Sequence, residues 1–285
     1  MARIPIIAEE VNMNAGSQLP PILYKYRFWN DDNHKRLLKD NEIFLSSPAL
    51  FKDPKDSKIP IHFDNGTEEK AFKIALSEIE HDHPCWNTKA QREHAKHLVS
   101  LSNWKDPKNL DRLYKFQRDK FNGAFGICSL SERKNLDQVW RVYGDQHKGF
   151  CVGFNVKKLM HFLKNVIFTR RGDPIILLEK VTYEDQDPYI DGWDNSDEAI
   201  VKVLRTKIKD DYAFEEEQRL ILINGTNRQI KLRDDIIEEV IIGCKIDDPN
   251  MVQEIIDILR KKSTKGRLYK ARQSSNGLQF DEIIY

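Results

Sequence analysis

The residues best suited to chemistry lie in Phe214-Glu215-Glu216-Glu217-Gln218-Arg219-Leu220-Ile221-Leu222-Ile223, where a charged cluster runs straight into an apolar run. Read as a strand, the period of two puts Glu215, Glu217, Arg219, Ile221 and Ile223 on one face, so two carboxylates and a guanidinium share a surface. Such a row is costly unless a ligand, a counter-charge or water meets it, and that marks a candidate site. The same residues read equally as the end of one surface helix over Glu198–Leu220, with Glu215 and Arg219 an i,i+4 ion pair. The strand reading gains from the rest of the chain, which supplies a cationic strand and an aromatic helix for a carboxylate face to meet.

The cationic strand is Ile22-Leu23-Tyr24-Lys25-Tyr26-Arg27-Phe28, in which Lys25 and Arg27 point the same way. The aromatic helix carries Leu136, Val139, Trp140 and Tyr143 at i, i+3, i+4 and i+7, a single stripe that is more often core than site. An ionised carboxylate such as Glu217 stabilises a developing positive charge, an aromatic ring orients a leaving group, and a cation such as Arg27 holds an anionic group or a hydroxyl. Arg219 on the same face keeps the glutamates ionised.

The elements that must position these groups follow from local patterns. Asp31-Asp32-Asn33 caps a short helix through Lys39, Glu42–Pro48 reads as a second strand, and Phe51–Asp56 as a tight acidic turn. Residues 59–122 turn to charged helix-forming sequence, near Glu68–Glu80, Thr88–Ser100 and Leu110–Lys120, and read as a helical insertion. Its His81, His83, Cys85, His94 and His97 match no standard zinc spacing and read as solvent-facing groups, so no metal site is expected. Strands follow at Ala124–Leu130, Phe150–Phe154, Ile175–Tyr183, Gln229–Leu232, Ile237–Gly243, Arg267–Arg272 and Leu278–Ile284. A helix runs near Val156–Lys164, and Asp248-Pro249 opens another with Val252, Ile255, Ile256 and Leu259 on one face. In the acidic loop Glu184–Asp197, Trp193 is expected to be exposed or to cap something. Residues 1–19 read as an N-terminal arm and 20–285 as a single α/β domain.

Composition narrows the function. Lys+Arg 46 against Asp+Glu 45 leaves a net charge of +1, which argues against a general polyanion binder. Four dispersed cysteines and no membrane-length apolar run point to a soluble protein of a reducing compartment, expected to be cytoplasmic and without a membrane partner. Mean hydropathy of -0.62 with 10% aromatics fits a compact core beneath a charged surface. No phosphate-cradling glycine loop, dinucleotide fingerprint or nucleophile elbow is present.

Taken in order, Leu23-Tyr24-Lys25-Tyr26-Arg27, Ile43-Phe44-Leu45-Ser46-Ser47-Pro48, Phe51-x-Asp53-Pro54-x-Asp56, Trp140-x-x-Tyr143 with His147-x-Gly149, and Phe214-Glu215-x-Glu217-x-Arg219 resemble an uncharacterised bacterial domain family found among abortive-infection, phage-defence proteins. The resemblance runs from about Ile22 to Tyr285, with Lys52 in place of an asparagine and Tyr212 in place of a tryptophan. More distantly, the order of motifs is similar to ADP-ribosyltransferases. That resemblance implies a mixed, mostly antiparallel sheet core and NAD as substrate. It also implies that Lys25 or Arg27, with Tyr24, Ser46 and Arg219, holds the cofactor. Tyr143 would stack on nicotinamide, and Glu217, preceded by Glu215, would bind the ribose hydroxyl as the catalytic pair. Where those enzymes have histidine-glycine, this chain has Lys25-Tyr26. The acceptor implied is a protein or nucleic acid, with an antitoxin or sensor as a candidate partner. Two rival readings are a metal-dependent nuclease on Asp53, Asp56, Glu215 and Glu217, and a non-catalytic sensor or interaction module whose charges form a structural network.

Overall fold

A computed structural model of the chain describes residues 19–53, 55–103, 106–166, 176–194, 196–263 and 266–285. The expected arm over 1–19 lies almost wholly outside the described residues. From the N-terminal side the elements run β1 (Ile22–Arg27), α1 (Asp32–Lys39), β2 (Glu42–Leu45), β3 (Ile61–His62), α2 (Glu68–Asp82), α3 (Thr88–Leu101) and α4 (Pro107–Ala124). Next come β4 (Phe125–Ser131), α5 (Asp137–Tyr143), β5 (Phe150–Asn155), α6 (Val156–Val166), β6 (Ile176–Lys180), β7 (Thr182–Glu184) and β8 (Ile190–Asp191). The chain closes with α7 (Asp197–Arg205), β9 (Thr206–Ile208), α8 (Lys209–Tyr212), β10 (Glu217–Ile223), β11 (Arg228–Lys231), β12 (Ile237–Ile242), α9 (Pro249–Arg260), β13 (Arg267–Ser274) and β14 (Gly277–Ile283).

These elements form two compact units. The smaller takes Phe51–Gly123 and Thr182–Ile208, so the expected helical insertion falls within it together with a second stretch of chain. Its core gathers Phe63, Ala71, Ile74, Val99 and Trp193. Trp193 is therefore a core residue, its indole donating to the Phe63 carbonyl at 3.0 Å, because a large ring with one donor is best buried where a backbone oxygen meets it. His83 stacks on Trp86 at 4.1 Å between ring centroids, and Trp86 meets His94 edge-on. Among the described residues no group of three or more His, Cys, Asp or Glu is placed to hold a metal ion. No described helix is long and apolar enough to cross a membrane.

The larger unit holds residues 19–50, Ala124–Val181 and Lys209–Tyr285 and is a mixed α+β structure. Its eight-stranded sheet has the order β14-β13-β12-β5-β1-β4-β10-β6, antiparallel at every neighbour pair except the parallel β12 and β13. β5 is buried along Phe150–Phe154 because both its faces are apolar, the pattern of a central strand. On one face Leu23, Val152, Phe154, Leu220, Val240 and Leu268 join Leu37 and Leu38 of α1, Leu159 and Leu163 of α6, and Ile255 and Leu259 of α9. On the other, Tyr24, Tyr26, Cys151 and Ile241 pack with Val139 and Trp140 of α5. The aromatic stripe of α5 is thus mainly core. Trp140 is fully buried, meets Tyr26 edge-on at 5.0 Å and donates from its indole to the Lys134 carbonyl at 2.8 Å.

Candidate functional site

The site is built where the sheet comes apart. β1 runs the full length of β5, from Ile22 opposite Asn155 to Arg27 opposite Phe150, yet meets β4 only where Tyr24 faces Ser131. In an antiparallel ladder, alternate residues direct both backbone groups to the same side. Ser131, Ser129 and Ile127 therefore present one edge of β4 towards β1. Tyr24 covers the first position, while Ser46, just past β2, covers the last by exchanging two 2.8 Å hydrogen bonds with Ile127. Between them the Ser129 carbonyl accepts from the ammonium of Lys25, a side chain standing in for a missing strand.

Strand alternation puts Lys25 and Arg27 with Leu23 on the helix-covered face, while Tyr24 and Tyr26 join the α5 face. Lys25 nevertheless senses both glutamates. Burial pushes its ammonium down to about 8 and Arg27 adds to the fall, whereas the carboxylates of Glu217 and Glu215 are among the groups that hold it up. Burial likewise lowers Arg27, against the charge of Asp31, and its guanidinium donates to the Tyr26 carbonyl at 3.2 Å. Arg27 is thus turned towards the helix-covered side.

The strand expected over the charged cluster begins only at Glu217. Glu215 sits in a 3-10 turn over Ala213–Glu215, and Glu216 has φ 45, so a left-handed residue separates the two carboxylates. Strand alternation therefore relates Glu217 to Arg219 but not to Glu215, and the long helix alternative is replaced by α7, β9 and α8. The turn has its own anchors. Ser131 Oγ donates to the Glu215 carbonyl at 2.8 Å, Glu132 N–H donates to the Glu216 carbonyl at 3.0 Å, and Arg133 bonds the Glu216 carboxylate.

Glu217 faces Ser131 across the ladder, in the row that continues to Tyr24. Arg219 Nε donates to Glu217 Oε1 at 2.9 Å and Nη2 to Oε2 at 3.3 Å; the two residues are 0% and 3% exposed. A buried guanidinium in a two-point grip supplies the counter-charge of the carboxylate and fixes its plane. Glu215 is also buried, but its carboxylate accepts from the hydroxyl of Tyr143, which remains 38% exposed at the end of α5. Lys25, Glu215, Glu217, Arg219 and Tyr143 are therefore linked by hydrogen bonds or by their fields.

Tyr24 stands apart from that group. Its hydroxyl donates to Glu239 Oε1 at 2.8 Å, and Lys134 Nζ meets the same carboxylate at 3.0 and 3.2 Å. Burial, with Glu239 beside it, pushes the phenol far above its ordinary range. Gly153 makes room, since a Cβ there would stand 3.0 Å from Glu239 Cγ and from Tyr24 Cε1. Lys134 and Glu239 escape a reading of the sequence because they lie on separate elements, and only the sheet order brings them together. The carboxylates of the nuclease reading divide between the units, with Asp53 and Asp56 in the smaller and Glu215 and Glu217 in the larger.

The motif His147-x-Gly149 has a structural basis. A Cβ on Gly149 would lie 2.2 Å from the Arg27 carbonyl oxygen, and one on Gly243 would lie 2.2 Å from that of His147. Asp145, Gln146 and His147 take φ of 51, 54 and 70, a left-handed turn that brings the imidazole back under Trp140, stacked at 5.9 Å. No curated protein and no solved structure matches the chain. The Trp140–Tyr143, His147–Gly149 and Phe214–Arg219 motifs do lie inside a matched family region, whereas the β1 and β2 motifs lie before it. That region, residues 139–265, matches the model of the family described as protein of unknown function, DUF2971.

Proposed function

We propose that the chain is an ADP-ribosyltransferase-like enzyme that uses NAD to modify a protein or nucleic-acid acceptor, as a cytoplasmic, toxin-like effector of abortive infection. The observation that carries this reading is the hydrogen bond from the half-exposed Tyr143 to the buried Glu215, within the field of Lys25. An accessible ring beside ionised carboxylates suits a nicotinamide leaving group and a ribose that gains positive charge as the glycosidic bond breaks. Glu217, held by Arg219, supplies fixed negative charge behind Glu215. The Lys25 ammonium, held in the gap between β1 and β4, suits a pyrophosphate. In a defence role, an antitoxin or sensor would hold the activity in check.

The test uses purified protein and labelled NAD, with lysate or RNA as acceptor. Wild type is expected to release nicotinamide and label a macromolecule, and Glu215→Gln and Glu217→Gln to lose this activity. The reading fails if wild type leaves NAD untouched and Glu217→Gln is as toxic in cells as wild type.

A second reading, a non-catalytic interaction module, draws on the Glu217–Arg219 pair, since a buried bidentate pair also serves purely to fix a fold. In that case Glu217→Gln lowers stability and leaves every cellular effect in proportion to the folded fraction.

A further inference from the structure

On the other flank of α5 lies a cavity of about 520 Å³, lined by His147, Lys245, Lys270 and Arg272 with Asp137 and Asp281. Asp137 and Arg141 reach it from one face of α5 as an i,i+4 pair, Arg141 Nε bonding Asp137 Oδ2 at 2.7 Å. At about 100° per residue, Tyr143 lies about 120° around the helix from Asp137 and points towards Glu215. The cavity is thus separate from the carboxylate site, and a ligand there is independent of the NAD reading.

Its charges do not cancel. Arg141 is matched by Asp137, and Arg272 Nε is matched by Asp281 Oδ2 at 2.9 Å. Lys270 Nζ bonds only a backbone oxygen, that of Ile246, and Lys245 has no carboxylate partner among the described residues. Two ammonium groups therefore lack an ion-pair partner among the described residues. The cavity wall also holds two polar atoms without a hydrogen-bond partner among the described residues, Asp137 Oδ1 and His147 Nδ1. His147 is 2% exposed, its Nε2 lies 3.1 Å from Asp137 Oδ1, and its Nδ1 has no hydrogen-bond partner among the described residues. A buried, unpartnered imidazole nitrogen is costly unless something fills the need. Three consecutive left-handed residues, Asp145, Gln146 and His147, hold the ring in place, and strain of that kind gathers at ligand sites.

We propose that this cavity binds a phosphate-bearing small molecule of mononucleotide size, with Lys245 and Lys270 as its counter-charges and His147 as a hydrogen-bonding wall. The volume suits a ligand of that size. Lysine ammonium groups, as compact point charges with three donors each, suit the tetrahedral oxygens of a phosphate.

Calorimetric titration of the full chain with pyrophosphate, ADP and succinate decides it. Pyrophosphate or ADP is expected to bind wild type and Glu215→Gln alike, and to bind Lys245→Glu at least about tenfold more weakly, equivalent to about 1.4 kcal/mol. ADP without pyrophosphate would identify a nucleotide, and pyrophosphate without ADP a free phosphate; either supports the site. The proposal is overturned if no probe binds wild type, if succinate alone binds, or if Glu215→Gln rather than Lys245→Glu abolishes binding. Lys270→Gln supplies a second reading of the same charge, and melting curves establish that each variant folds. Because Lys245 is exposed, Lys245→Glu is expected to fold as wild type and is decisive by itself.

Discussion

Arg219 holds Glu217 through two hydrogen bonds, of 2.9 and 3.3 Å, between side chains of the same strand that water scarcely touches. Removing one partner leaves the other charge buried without its counter-charge, a cost of about 3–5 kcal/mol. Arg219→Met is therefore expected to lower the unfolding free energy by several kcal/mol in denaturant titration. The double variant Arg219→Met/Glu217→Gln should recover part of that loss. A double variant whose loss equals the sum of the Arg219→Met and Glu217→Gln losses would show that the pair is not coupled.

Tyr143 separates ring from hydroxyl. If the ring positions a leaving group, Tyr143→Phe keeps most activity and Tyr143→Ala loses about 10²-fold or more, the scale of a misplaced reacting group. Both variants remove the donor to the buried Glu215 carboxylate, so each is expected to lose about 1–3 kcal/mol of stability, to a similar degree. Nicotinamide release measured beside thermal melts tests both halves. Equal loss in Phe and Ala variants would assign the role to the hydroxyl bonded to Glu215 instead.

Much of the fold is legible in the sequence because periodicity is local. The stripe of Trp140 and Tyr143, the caps Asp31 and Asp248, and the apolar run of β5 each mark an element within a few residues of its bounds. The three helices over 68–124 are legible for the same reason. Less legible is what depends on sheet order. Nothing in the sequence says that Tyr24 will meet Glu239, 215 positions away, or that β1 will leave β4 after one register pair. The start of β10 is hidden too, since a left-handed Glu216 breaks the alternation and no glycine announces it. Trp193 is core rather than exposed because its partner Phe63 lies 130 positions earlier, beyond the reach of any local pattern.

Gly149 and Gly243 tie α5 and its turn to the sheet through approaches that leave no space for a methyl group. Gly149→Ala would meet the Arg27 carbonyl, and Gly243→Ala that of His147; backbone oxygen cannot move aside as a side chain can. Each substitution is expected to cost about 1–3 kcal/mol or more, the range for overpacking. Gly123→Ala serves as the control, since nothing lies within 4 Å of a Cβ there. Differential scanning calorimetry should place both Gly149→Ala and Gly243→Ala well below Gly123→Ala.

Lys25 sets a pH dependence whose sign is fixed by its burial. Its folded-state value near 8 lies below the ordinary 10.5, so between those pH values the unfolded chain binds more protons than the folded one. Stability conferred by Lys25 therefore rises with pH across that window, and below about 8 the full cost of the buried ammonium is present. Binding of an anionic ligand in the gap runs the other way, because the ammonium is lost as pH climbs through about 8. Lys25→Met should remove the pH-dependent rise in stability seen by chemical denaturation and make the protein more stable at neutral pH. The same variant should also abolish any loss of NAD affinity with rising pH. A wild-type affinity that is flat from pH 7 to about 9.5, where an ammonium titrating near 8 becomes almost wholly neutral, would remove Lys25 from the binding site.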